Sequence, residues 1–118
     1  MKQSKEMAMI VCKALEEKKG QEVTVIDISD ISCLADYFII ANGENSHQVQ
    51  AMIDNVEEEM DKAGYHFSQR EGYQAARWIL LDYKDIVVHV FSKEDRRFYD
   101  LERIWRDGKF ISIKELEE

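Results

Sequence analysis

The chain has no proline, so no ring locks φ or strips a backbone donor from a helix or strand. It also has no low-complexity segment and no internal repeat. Nothing marks a linker, and the expectation is one domain over residues 1–118, with 109–118 as a tail. Cysteine is scarce. Cys12 and Cys33 lie far apart and form no Cys-x-x-Cys pair, which argues against a zinc site or a redox pair and for free thiols in a reducing compartment. No apolar run approaches the ~20 residues of a membrane span. Met1–Glu6 leads straight into a helical pattern without an apolar or Arg/Ser-rich leader, so neither a secretion signal nor a transit peptide is expected. A basic excess is missing as well. The net charge of −8 argues against autonomous DNA or RNA binding, although Arg96, Arg97, Arg103 and Arg106 form a local basic patch. An acidic surface of this kind suits a basic protein partner.

What is present is ordinary core-forming material, 45% hydrophobic and 34% charged. A chain of this size buries roughly two-thirds of its unfolded surface without staples. The stretch that organises it is Arg77–Phe91, two apolar strands around a polar turn at Asp82–Asp85. With Tyr83 and Lys84 as the two turn residues, Leu81 pairs with Ile86, Leu80 with Val87, Ile79 with Val88 and Trp78 with His89. Alternation then puts Ile79, Leu81, Ile86, Val88 and Val90 on one face. Trp78, Leu80, Val87, His89 and Phe91 fall on the other. A small domain needs one apolar face for its core, so the cover of the second face is the functional question.

Ser4 to about Lys18 reads as a helix with Met7, Ile10, Val11, Ala14 and Leu15 inward, Ser4 as N-cap and Gly20 as its C′ residue. Glu22–Ile28 reads as a strand. Ala35–Ala41, almost continuously apolar, reads as a central strand covered on both sides. Asn45 or Ser46 caps a second helix with Val49, Met52, Ile53, Val56 and Met60 inward, stopped at Gly64. Tyr65–Ser68 is a short strand candidate, and Gln69–Ala76 a loop. After the hairpin, Ser92 caps a third helix to about Asp107 that places Phe98, Leu101 and Trp105 on one face, with Tyr99 flanking. The order α-β-β-α-(β)-β-β-α predicts an α/β domain with a mixed sheet of about five strands flanked by helices.

Catalytic chemistry finds little support. Asn42-Gly43-Glu44-Asn45 is a strand–turn–helix without the glycines or the Gly-Lys-Ser/Thr ending of a phosphate loop. A nucleotidyltransferase would carry Gly-Ser there and paired carboxylates on the next strand. Here Glu44 replaces the Ser, and Arg77–Leu81 has no Asp-x-Asp. His47, His66 and His89 lack metal-ligand spacing, so no metal and no cofactor are expected. Asp82 and Asp85 are routine turn residues as much as acid–base candidates. The second hairpin face is the better signal, since Trp, Tyr and Arg are the side chains enriched at binding hot spots.

Taken together, Asp36–Gly43, His47-Gln48-Val49, Glu71-Gly72, Trp78–Tyr83, Asp85–Phe91, Arg97–Glu102 and Trp105 resemble the ribosomal silencing factor (Iojap-related) family, in order and spacing, over about residues 4 to 106. The resemblance implies a nucleotidyltransferase-like fold without catalysis. It also implies a bacterial, cytoplasmic protein that binds the large ribosomal subunit through its protein numbered fourteen, blocks joining of the small subunit and represses translation. Organellar relatives act in large-subunit assembly. By position, the implied partner face comprises Trp78, Leu80, Asp82, Tyr83 and His89, with Arg96, Arg97 and Tyr99 nearby. The resemblance implies no dependence on nucleic acid or membrane, and a homodimer when free. Asn45 stands where the family often has Ser, and His47 where it often has Arg.

Overall fold

The computed structural model describes residues 2–117. The chain runs α1 (Lys2–Glu17), β1 (Gln21–Asp27), β2 (Tyr37–Gly43), α2 (Ser46–Lys62), β3 (Gln69–Glu71), β4 (Trp78–Asp82), β5 (Ile86–Ser92), α3 (Lys93–Tyr99), α4 (Leu101–Ile104), β6 (Lys109–Ile111) and α5 (Ile113–Glu117). The strands form one six-stranded sheet in the order β3-β4-β5-β2-β1-β6. β2 and β5 run parallel, and the other neighbouring strands pair antiparallel. The mixed α/β architecture is the expected one. It has six strands rather than about five: the short strand expected at Tyr65–Ser68 is absent there and falls instead at Gln69–Glu71, read as loop, which pairs with β4, and Lys109–Ile111, read as tail, pairs with β1.

β2 sits centrally and every one of its residues is buried, which explains its nearly unbroken apolar sequence. α1 and α2 cover one face of the sheet. Their Val11, Leu15, Met52, Ile53 and Val56 pack with Ile39, Ala41, Ile79, Leu81, Val88 and Val90. Each fully buried Leu, Ile or Met contributes about 1.5–3 kcal/mol. A smaller cluster lies on the opposite face, where Ile26, Phe38, Ile40, Val87 and Phe91 meet Leu101 and Trp105.

The helix ends show where local chemistry was sufficient. Asn45 caps α2, its side chain accepting the Gln48 N–H at 2.9 Å. Gly64 follows at φ 89, and the Tyr65 N–H closes onto the Met60 carbonyl at 2.9 Å. At the end of α1 the left-handed residue is Lys19, at φ 61, not Gly20. Gly20 is needed for close approach instead, since a Cβ there would meet Met52 Cε at 2.7 Å and the Leu15 carbonyl at 2.8 Å. Ser4 lies inside α1 rather than capping it, and its hydroxyl donates to Asp36 at 2.6 Å.

The expected third helix is two short ones. Asp100 adopts φ 47, a left-handed conformation unusual for a residue with a Cβ, and breaks the helix between α3 and α4. The helical spacing that aligned Phe98 with Leu101 and Trp105 therefore does not run through. Leu101 and Trp105 turn inward to the sheet, while Phe98 is 80% exposed.

Candidate partner-docking face

The hairpin turns one step later than its sequence suggested. Lys84, at φ 74, and Asp85 are the turn residues; the Tyr83 N–H bonds to the Ile86 carbonyl at 2.9 Å and the Asp85 N–H to the Tyr83 carbonyl at 2.9 Å. Asp82 sets the bend by accepting the Lys84 N–H at 2.7 Å. The pairs are Asp82–Val87, Leu81–Val88, Leu80–His89, Ile79–Val90 and Trp78–Phe91, which corrects the expected register. The slip is two residues, and the side-chain period of a strand is two, so every residue keeps its face.

The face carrying Trp78, Leu80 and Asp82 is part covered and part open. α3 and α4 lie across it. Trp105 meets Phe38 edge-on at 5.0 Å, and Phe38 meets His89 at 4.8 Å. Trp78 stacks on Phe91 at 5.0 Å and contacts Tyr99 at 4.7 Å, and Tyr99 carries Phe98 against it at 5.2 Å. A continuous aromatic array thus runs from the buried sheet to the outer side of α3. Trp78 and Leu80 are half-buried; Tyr99, Phe98 and Ile104 are exposed, the last at 67%.

His89 is fixed inside this array. Its Nδ1 accepts the Trp78 indole N–H at 3.1 Å, which assigns the ring proton to Nε2. Desolvation pushes its pKa down to about 4, so the ring is neutral near pH 7. Being buried, His89 reaches this face only through its bond to Trp78.

Two residues expected at the partner face lie elsewhere. Tyr83 points to the helix-covered side and packs into that core, where burial, then Glu57 and Asp61, raise its phenol well above the usual range. Arg96 is buried and spent on internal bonds. It donates to the Glu22 carbonyl at 2.7 Å, Asn42 Oδ1 at 3.0 Å, Thr24 Oγ1 at 3.0 Å and Glu102 Oε2 at 2.9 Å. This one guanidinium fastens α3 and α4 to β1 and β2. Arg97 is exposed beside it. Sequence reading missed the exposure of Phe98 and Ile104; only a left-handed residue at position 100 would have signalled it.

Among the described residues no group of three His, Cys, Asp or Glu side chains is placed to hold a metal. Among the described residues, no helix is long and apolar enough to cross a membrane.

A family model described as "Ribosomal silencing factor during starvation" matches residues 1–118. The ribosomal silencing factor RsfS of Bacillus subtilis is 38% identical over 109 residues, covering 92% of each chain. A mouse protein named "Mitochondrial assembly of ribosomal large subunit protein 1" is 24% identical over 94 residues, 77% of this chain and 41% of that one. The crystal structure of a Chromobacterium violaceum protein superposes with TM-score 0.84 at 33% identity, covering 91% of this chain and 88% of that one. With the family model spanning its full length and the Bacillus subtilis relative matched over nearly all of its own, the chain belongs to the ribosomal silencing factor family.

Proposed function

We propose that this protein binds the large ribosomal subunit through the subunit's protein numbered fourteen, and that it represses translation by occupying space the small subunit needs for joining. The carrying observation is the open end of the aromatic array, where half-buried Trp78 meets exposed Tyr99, and Tyr99 meets exposed Phe98, along the outer side of α3. An apolar-aromatic patch with Arg97 nearby has the composition of a protein-binding hot spot. The net charge of −8 favours approach to a basic ribosomal surface. Trp78, Leu80, Tyr99 and Phe98 make the contacts in this reading, with Asp82 and Arg97 at the rim and His89 behind them. The action is steric and needs no catalysis, and it takes place in the cytoplasm, where the subunits are. The free protein pairs with a second copy through the same apolar patch.

The test is co-sedimentation with purified large subunits, followed by a joining assay with small subunits. The expected result is binding that lowers the yield of joined ribosomes. Binding without any effect on joining would instead favour a role in large-subunit assembly, the role for which the mouse relative is named.

A further inference from the structure

The outer side of α3 carries a cavity at the end of the aromatic array. It measures about 270 Å³ and is lined by Arg77, Glu94, Asp95, Phe98 and Tyr99. That lies just below the ~300 Å³ at which small-molecule sites begin, and it suits one long side chain better than a whole metabolite. α3 builds most of it. Glu94 and Phe98 stand four residues apart, as do Asp95 and Tyr99, so the four share one side of the helix. Arg77, just before β4, closes the cavity from the sheet.

Three charged groups line the cavity, and two of them are spent on each other. Arg77 donates from Nε and Nη2 to the carboxylate of buried Asp95, at 3.3 and 3.2 Å. Glu94 is exposed and has no ion-pair partner among the described residues. With Arg77 and Asp95 paired, Glu94 leaves the lining one negative charge in excess. The remaining walls are aromatic. Phe98 is 80% exposed, and its ring meets Tyr99 edge-on at 5.2 Å. An unpaired carboxylate beside two open rings is a place for a cation on an apolar stem, since ring faces attract the charge and the stem covers the rings. An anion would find Arg77 with two of its five donors taken and two carboxylates beside it.

We infer that this cavity receives one lysine or arginine side chain of the protein partner, paired with Glu94 and packed against Phe98 and Tyr99. The inference rests on the docking proposal and names the chemistry that this end of the patch selects. The cavity is continuous with the contact between Trp78 and Tyr99 at the open end of the array. Its sign agrees with the net charge of −8, which suits a basic partner. The aromatic surface supplies affinity to any apolar partner. The cavity adds a demand for a cation at one position beside it, and so discriminates among partners.

The experiment measures the affinity of the full chain for purified large subunits by co-sedimentation at low and high salt. Glu94→Gln is expected to weaken binding about tenfold at low salt, and the deficit should shrink as salt screens the pair. Glu58→Gln removes the same charge from the exposed side of α2, across the sheet, and should stay within about twofold. Phe98→Leu keeps an apolar side chain but removes the ring, and should weaken binding about threefold. The melting temperature of each variant is first matched to that of the wild type. Wild-type affinity in a folded Glu94→Gln protein, or an equal loss in Glu58→Gln, overturns the role of the cavity and leaves the docking proposal standing. Failure of the wild-type protein to bind overturns the docking proposal, and this inference with it.

Discussion

The indole of Trp78 donates to Nδ1 of His89 at 3.1 Å, across a diagonal of the β4–β5 ladder rather than between directly paired residues. This bond joins the half-buried edge of the docking face to its buried interior. It places a neutral imidazole under Phe38, where Nε2 has no hydrogen-bond partner among the described residues.

Burial lowers the His89 pKa from 6.5 to about 4, which makes stability depend on pH in a defined direction. Between those values the unfolded chain holds a proton on this residue and the folded protein does not. Stability from the neutral ring is therefore fully present above about pH 6.5 and falls as the pH drops toward 4, by on the order of 3 kcal/mol. Urea unfolding at pH 7.5 and 4.5 should show the decline. In His89→Phe the decline should be shallower by that amount, and an unchanged slope would rule His89 out as its source.

Replacing Arg96 should cost more than replacing a surface arginine. Arg96→Met leaves Glu102 and Asn42 without their buried partner, an expected loss of about 3–5 kcal/mol. Arg97→Met, exposed, should stay within about 0.5 kcal/mol. Denaturant unfolding of the two variants makes the comparison, and equal midpoints would refute the fastening role of Arg96.

The docking face is tested by a contrast between its two kinds of aromatic residue. Phe98→Ala and Tyr99→Ala should weaken co-sedimentation with large subunits by about tenfold or more while leaving the melting temperature nearly unchanged, since both side chains are exposed. Tyr83→Ala should do the reverse, lowering stability by about 3–5 kcal/mol through the cavity it opens beneath α2. A folded Phe98→Ala, Tyr99→Ala double variant with wild-type binding would sink the docking proposal. A Trp78→Ala protein would combine the two effects.

Gly72 sits at φ 81, and a Cβ there would lie 2.2 Å from the Trp78 carbonyl oxygen. Gly72→Ala should therefore destabilise by more than about 1 kcal/mol and displace the start of β4. The near-ultraviolet circular dichroism of the tryptophans reports the displacement. A variant with wild-type stability and spectrum would show that the loop yields without moving Trp78.

Much of the fold was legible from residue order alone. The two faces of the hairpin followed from alternation, and they survived an error of two residues in register because the strand period is two. The α2 cap and stop were readable at Asn45 and Gly64, where the chemistry is local. The edge strands were not. β3 and β6 are three residues each, too short for alternation to mark a strand, and they exist because β4 and β1 offer them backbone partners. The candidate docking face was half legible. Trp78 and Leu80 could be named from the pattern, but Tyr83 and Arg96 look like surface residues in sequence and are interior ones in space.

The sequence by itself determined the two long helices, the four longer strands, the helix-covered face of the hairpin and the family, because periodicity, caps and motif spacing are local properties of the chain. Tertiary structure alone decided how the second face is divided. Arg96, reaching back to β1 and β2, and Asp100, held left-handed, set α3 and α4 across that face. They bury His89 and Phe91 and leave Tyr99 and Phe98 outward. The Arg96 contacts join residues up to 75 positions apart, a separation that no local pattern encodes.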